Sequence, residues 1–147
     1  MSNDVSLNQN EFVIKKIYKY FIDKEEVEFV YLFGSYANGS VNSMSDIDIA
    51  IYFKNECLSY DIDKYLTMKM ELADILKKEI DIIILNTAKP FLKSRIINKH
   101  IKIFSRDTLI ESEFVSKSLG EYFDIKPYID MQYEKVISRM KEGAIFG

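Results

Sequence analysis

Residues 34–51 read GSYANGSVNSMSDIDIAI and combine a glycine–serine turn with an alternating run of acidic and apolar residues. The turn follows Val27–Phe33, a β-branched and aromatic run that predicts a buried strand. Residues 46–53 alternate strictly, so that Asp46 and Asp48 share one face of a strand and the isoleucines share the other. The sequence therefore predicts two strands separated by a glycine–serine turn and a short helical turn.

The two aspartates of this run predict a metal site. Their carboxylates point the same way and repel each other when both are charged. A divalent cation is the usual reason for such a pair, and Mg²⁺ binds a few carboxylates together with phosphate oxygens. Asp81 begins the next predicted strand after a helical crossover, and it joins Asp46 and Asp48 if the two strands are neighbours. Three converging carboxylates can hold two metal ions, so we expect a two-metal site here.

Gly34 and Ser35 lie where a strand ends and a helix is expected to begin. Amide groups at a helix start, a hydroxyl donor and a residue without a side chain all suit a phosphate. The alternative is an ordinary turn with serine as the helix cap. Asp61 and Asp63 repeat the D-x-D spacing, but they precede a helical apolar stripe. We therefore expect that second pair to be acids at the start of a helix.

The remaining apolar periodicity predicts helices and strands in alternation. This order favours an α/β (α+β) fold with a small mixed sheet flanked by helices. The predicted elements are a first helix starting near Asn8, a helix over residues 60–78, strands over 80–85 and 101–104, a short helix opened by Pro90, and a helical region over about 107–142 that Pro127 kinks or splits.

Length, charge and cysteine content exclude several classes of protein. The 147 residues suit a single domain over 1–147, and the net charge of −3 does not favour direct nucleic-acid binding. Cys57 is the only cysteine, so no internal disulfide can form. The first residues do not resemble a secretory signal, and the apolar runs are too short to span a membrane. We expect a cytoplasmic protein with no membrane association.

The spacing G-S-x10-D-x-D, from Gly34 to Asp48, resembles the signature of the polymerase β-like nucleotidyltransferase superfamily. In its short length and in the segments GSYANG and SDIDIAI, the chain resembles the minimal members of that superfamily, in particular the antitoxin of HEPN/MNT toxin–antitoxin pairs. The resemblance runs from about residue 28 to near the C-terminus, and it implies the polymerase β-like nucleotidyltransferase fold. In that family the antitoxin transfers AMP from ATP to a tyrosine of its partner, an all-helical HEPN ribonuclease toxin.

The resemblance also implies roles for individual residues. Asp46, Asp48 and Asp81 would be the catalytic residues and would bind Mg²⁺ as two ions, and Gly34 and Ser35 would hold the triphosphate of ATP. Many relatives have arginine where this chain has Asn38, which cannot supply charge to a phosphate. Two alternatives stay open. One is an antibiotic nucleotidyltransferase, which usually has a C-terminal substrate domain for which this chain lacks the residues. The other is an antitoxin that acts by binding alone.

Three weaker features complete the sequence-based expectations. Arg95 and His100 form an R-x4-H pattern, in which we expect His100 to be a surface loop residue. We expect Cys57 to be a packed small side chain rather than a nucleophile. The segment after Asp107 is more apolar than one surface helix needs, because it contains Phe114 and several aromatic residues after it. We expect it partly to cover the sheet and partly to dock a helical partner.

Overall fold

The computed structural model describes the backbone of residues 2–42 and 44–146, and the side chains within residues 9–42 and 44–143. The elements in this part of the chain alternate as the sequence predicts. They are α1 (Ser2–Ile22), β1 (Val27–Phe33), α2 (Ser35–Asn38), β2 (Ile47–Phe53), a short 3-10 helix (Glu56–Tyr60), α3 (Ile62–Leu76), β3 (Ile80–Ile84), α4 (Pro90–Asn98), β4 (Ile101–Ser105) and α5 (Thr108–Phe146).

The four strands form one mixed sheet in the order β3-β2-β1-β4. Strand β1 is antiparallel to both β2 and β4, whereas β2 and β3 are parallel because helix α3 connects them. The pairing register places Asp48 opposite Phe33 on one side and opposite Asp81 on the other. The end of β1 therefore meets the starts of β2 and β3 at one end of the sheet.

Helices cover both faces of the sheet. On one face, α1 and α3 contribute Ile17, Phe21 and Leu72 to a core cluster in which all three side chains are fully buried. On the other face, Phe29 and Tyr31 of β1 pack with Ile96 of α4 in a second cluster. Burial of these apolar side chains, at about 25 cal/mol per Å² of apolar surface, is the main stabilising contribution to this arrangement.

Arg106 fixes the end of α1 against the sheet. Its guanidinium donates hydrogen bonds to the carbonyls of Phe21, Ile22 and Lys24 at 2.8–3.1 Å, and to that of Val27 at 2.7 Å. A helix leaves its last carbonyls without partners inside the helix, and an arginine has enough donors to satisfy several of them at once. This side chain therefore links α1, β1 and the end of β4.

The predicted start of the first helix is wrong, and of the two outcomes expected at Pro127, a kink or a split, the split does not occur. Helix α1 begins at Ser2, so Asn8 lies inside it rather than at its start. Helix α5 continues through Pro127 to Phe146 and is not split. Proline removes one backbone hydrogen bond, and in this long and largely exposed part of α5 the helix continues past that loss.

His100 lies in the loop between α4 and β4 as expected but is less exposed than a surface residue, and Cys57 differs from expectation. His100 is half-buried, because its ring stacks on Tyr31 with 3.9 Å between ring centroids and its Nδ1 lies 3.0 Å from the carbonyl oxygen of Ile96. Cys57 is exposed in the 3-10 helix rather than packed. Across the described helices, no stretch is both long and apolar enough to cross a membrane.

Candidate active site

The three predicted acidic residues lie at one end of the sheet. Asp48 is the second residue of β2, Asp81 is the second residue of β3, and these two are partners in the parallel register. Asp46 directly precedes β2. All three line one depression of about 540 Å³, together with Lys69 of α3. The parallel crossover through α3 therefore brings together Asp46 and Asp81, which are 35 positions apart in the sequence.

The electrostatics of this depression favour a bound cation. Burial raises the pKa of Asp48 above its usual range, and the nearby negative charges of Asp81 and Asp46 raise it further. Carboxylate oxygens are the donor atoms that Mg²⁺ prefers. Among the described side chains, those of residues 9–42 and 44–143, however, no group of three or more His, Cys, Asp or Glu is placed so as to hold a metal ion. The donors thus fit Mg²⁺ in chemical type, but they are not preorganised around it.

Gly34 is required because the carboxylate of Asp48 lies against its backbone. Gly34 has φ 69° and ψ −141°, a conformation that L side chains rarely adopt. A Cβ atom at this position would lie 2.1 Å from Oδ2 and 3.0 Å from Cγ of Asp48. The sequence suggested that glycine lets a phosphate approach the backbone. In the structure, the group that approaches is the aspartate of the D-x-D pair.

Ser35 begins α2, as the glycine–serine turn predicted. The helix has only four residues and ends at Gly39, which adopts the left-handed conformation with φ 75°. The macrodipole of a helix is the sum of its aligned peptide dipoles, so one turn supplies little positive charge. The expectation that a helix start attracts phosphate at Ser35 is therefore weaker in the structure than in the sequence.

A second depression, of about 430 Å³, is lined by Gly34, against whose backbone the Asp48 carboxylate of the acidic depression lies. Its lining also includes Asn38, Arg95 of α4, Lys99 at the C-terminal cap of α4, and Phe33 at the end of β1. Sequence reasoning placed neither these two basic residues nor Lys69 in the site. Apolar periodicity identifies the buried stripe of a helix, whereas these side chains lie beside that stripe and gain their place only from the tertiary fold.

The second D-x-D pair behaves as predicted. Asp61 caps α3, and its carboxylate accepts a hydrogen bond of 3.0 Å from the amide of Lys64. Asp63 lies in the first turn of the same helix. Acidic residues at a helix N-terminus interact favourably with the helix dipole. The two D-x-D pairs of this chain therefore have different structural roles, and Asp61 and Asp63 are internal controls for Asp46 and Asp48.

The sequence matches the family model described as polymerase beta, nucleotidyltransferase, over residues 15–109. Two similar proteins of Methanocaldococcus jannaschii are named as candidate protein adenylyltransferases. One is 35% identical over 80 residues, which are 54% of this chain and 83% of the relative. The other is 33% identical over 93 residues, which are 62% of this chain and 91% of the relative.

Solved structures share the fold. A chain of a toxin–antitoxin crystallised with AMP-PNP superposes with a TM-score of 0.75 at 23% identity, over 84% of this chain and 98% of that chain. A chain from the complex of a tri-AMPylated Shewanella oneidensis HEPN toxin with an MNT antitoxin superposes with a TM-score of 0.71 at 21% identity, over 87% and 98%. The predicted fold class is confirmed. The matched region contains Gly34, both members of the D-x-D pair and Asp81, and the chain belongs to the polymerase beta nucleotidyltransferase family.

Proposed function

We propose that this protein is an antitoxin that transfers AMP from ATP to a tyrosine of a HEPN ribonuclease toxin and thereby neutralises it. The observation that carries the proposal is the meeting of Asp48 with Gly34 on one side and with Asp81 on the other. Family membership supports nucleotidyl transfer as the reaction. The names of the relatives and the toxin–antitoxin complexes among the similar structures support a protein acceptor, and tyrosine is the acceptor that the family resemblance implies.

The proposed reaction is an in-line displacement at the α-phosphate of ATP. The tyrosine oxygen forms a bond to the α-phosphorus, the bond from that phosphorus to the bridging oxygen breaks, and pyrophosphate leaves. Asp46 and Asp48 would hold Mg²⁺ together with Asp81, and Gly34 and Ser35 would contact the phosphates. Asp81 is exposed at the edge of the site and would accept the proton of the attacking hydroxyl. When bound, Mg²⁺, proposed as two ions, supplies positive charge that offsets the negative charge of the phosphates.

The second half of α5 is the proposed docking surface for the toxin. Phe114, in the first half, packs on the sheet with its ring 4.9 Å from that of Tyr52. Beyond it, Phe123, Tyr128 and Tyr133 are each about two-thirds exposed. Exposed aromatic side chains spaced along one helix suit an all-helical partner. We propose that residues 1–147 form one minimal nucleotidyltransferase domain that acts in the cytoplasm. Helix α5 would both cover the sheet and contact the partner.

The experiment is to incubate the protein with the helical product of its neighbouring gene, ATP and Mg²⁺. We expect intact-mass spectrometry to show one or more added AMP units on the partner, peptide mapping to place them on tyrosine, and the partner's ribonuclease activity to fall. Excess chelator should stop the transfer, and Mg²⁺ should restore it. Undiminished transfer in chelator would contradict the metal-dependent mechanism.

Matched variants separate modification from binding alone. The double variant Asp46→Ala/Asp48→Ala should bind the partner and leave its ribonuclease active, whereas Asp61→Ala/Asp63→Ala should modify it normally. If the Asp46/Asp48 variant neutralises the toxin as well as the unmodified protein does, the antitoxin acts by contact alone.

A further inference from the structure

The glycine–serine turn carries no positive charge of its own. Residues 34–42 include no lysine or arginine, and Asn38 contributes only an amide. Helix α2 is a single turn and contributes little dipole. The neighbouring depression is lined by four carboxylates, those of Asp46, Asp48, Glu79 and Asp81, and by the ammonium of Lys69. A nucleoside triphosphate brings further negative charge to this place, so cations from another element, in addition to Lys69 and the proposed Mg²⁺, would favour its binding.

Helix α4 presents two cations to this turn. Arg95, in its last turn, and Lys99, which caps it, line the depression of about 430 Å³ together with Gly34 and Asn38. The carboxylate of Asp48 lies against the same Gly34. Phosphates that extend from the acidic depression past Gly34 would therefore lie between the turn and the end of α4.

Among the described side chains, neither cation is paired with an acid. Six ion pairs link side chains of the described residues, and none of them includes Arg95 or Lys99. The guanidinium of Arg95 lies 5.9 Å from the ring centroid of Phe91 on the same helix, a contact that orients the side chain without neutralising its charge. An arginine beside a lysine suits a phosphate chain, because the guanidinium binds two oxygens at once and the ammonium acts as a point charge.

We propose that Arg95 and Lys99 bind the triphosphate of the nucleotide and supply the positive charge that Asn38 lacks. This inference rests on the proposed nucleotidyl transfer and assigns two binding residues to it. A purely structural explanation exists, since basic residues near a helix C-terminus stabilise the helix. That explanation predicts a change in stability without a change in phosphate binding, so binding measurements distinguish the two.

The test is calorimetric titration of the full chain with Mg²⁺–AMP-PNP, with inorganic tripolyphosphate and with adenosine. Arg95→Gln and Lys99→Gln should each weaken binding of AMP-PNP and of tripolyphosphate about tenfold, and should leave adenosine binding unchanged. Lys89→Gln is the matched control, because Lys89 precedes the same helix and lines neither depression. It should bind all three ligands as the unmodified protein does.

A rescue variant completes the test. Asn38 is exposed and lines the same depression as Arg95, so Asn38→Arg should restore AMP-PNP binding to Arg95→Gln. A stabilising role of Arg95 within α4 would not be rescued from another element. Unchanged AMP-PNP binding in Arg95→Gln/Lys99→Gln, or an equal loss for adenosine, would overturn the inference and leave the proposed function intact. Absence of AMP-PNP binding by the unmodified protein would overturn the proposed function itself.

Discussion

Gly34→Ala would place a methyl group where the carboxylate of Asp48 now lies. The new Cβ atom would be 2.1 Å from Oδ2, and ordinary contact begins at 3.4 Å. The oxygen must therefore move by about 1.3 Å, or the turn must shift by a similar distance. A misplacement of about 1 Å at reacting groups can lower a rate about 100-fold. We expect nucleotidyl transfer by Gly34→Ala to fall by roughly this factor.

The same substitution also affects stability. An alanine at the φ and ψ of Gly34 costs about 1–3 kcal/mol, and displacing the Asp48 side chain from its rotamer adds about 1 kcal/mol. Gly39→Ala is the matched control, because Gly39 also has a positive φ of 75° but has no atom within 4 Å of an added Cβ. It should lose about 1–2 kcal/mol of unfolding free energy and keep its transfer activity.

The assay compares both variants by chemical denaturation and by the rate of AMP incorporation into the partner, at a temperature at which both remain folded. A folded Gly34→Ala variant with full activity would refute the reasoning, since the position of the Asp48 carboxylate would then not matter to the reaction. Equal loss of activity in Gly34→Ala and Gly39→Ala would show that the backbone of the turn is decisive, rather than its contact with Asp48.

Three further predictions concern single side chains. Burial and its acidic neighbours raise the pKa of Asp48 above 3.8, so its ionisation destabilises the folded chain as pH rises through that range. Asp48→Asn should therefore be more stable than the unmodified protein at pH 7 and equally stable at about pH 3. Denaturation at both pH values checks this, and a less stable variant at pH 7 contradicts it. Arg106→Leu should lower the free energy of unfolding by at least about 2 kcal/mol, because four carbonyls lose a charged donor. Arg106→Lys should lower it less, and denaturant titration of both variants measures the difference. Tyr36→Phe should unfold at the same or a higher denaturant concentration, since the buried hydroxyl has no hydrogen-bond partner in the described part of the chain. A decrease of more than about 1 kcal/mol in the free energy of unfolding would show that the hydroxyl has such a partner.

Local sequence rules predicted the elements that surround the site. The run Val27–Phe33 is bounded by turn-forming residues, and β1 has those limits in the structure. Pro90 opens α4 because a proline is favoured in the first turn of a helix. Strict alternation identified the face of β2 that carries Asp48, and a helical crossover between two strands favours their parallel pairing, which brings Asp81 beside it.

The sequence could not predict features that depend on contacts between distant elements. His100 is fixed by stacking on Tyr31 of the neighbouring strand, and no local pattern reports that contact. The close approach of Asp48 to Gly34 depends on strand pairing, as does the position of α4 beside the turn. The capping pattern at Asn8 was misleading because helices also tolerate such residues in their interior.

The most direct test of nucleotidyl transfer uses ATP carrying a radioactive label on either the α- or the γ-phosphate. Incubated with the helical partner and Mg²⁺, the unmodified protein should transfer the α-label to the partner and release the γ-label in pyrophosphate. The Asp46→Ala/Asp48→Ala variant should transfer neither. Incorporation of the γ-label would identify phosphoryl transfer instead, and incorporation of the α-label by the double variant would show that the Asp46/Asp48 pair is not the catalytic centre.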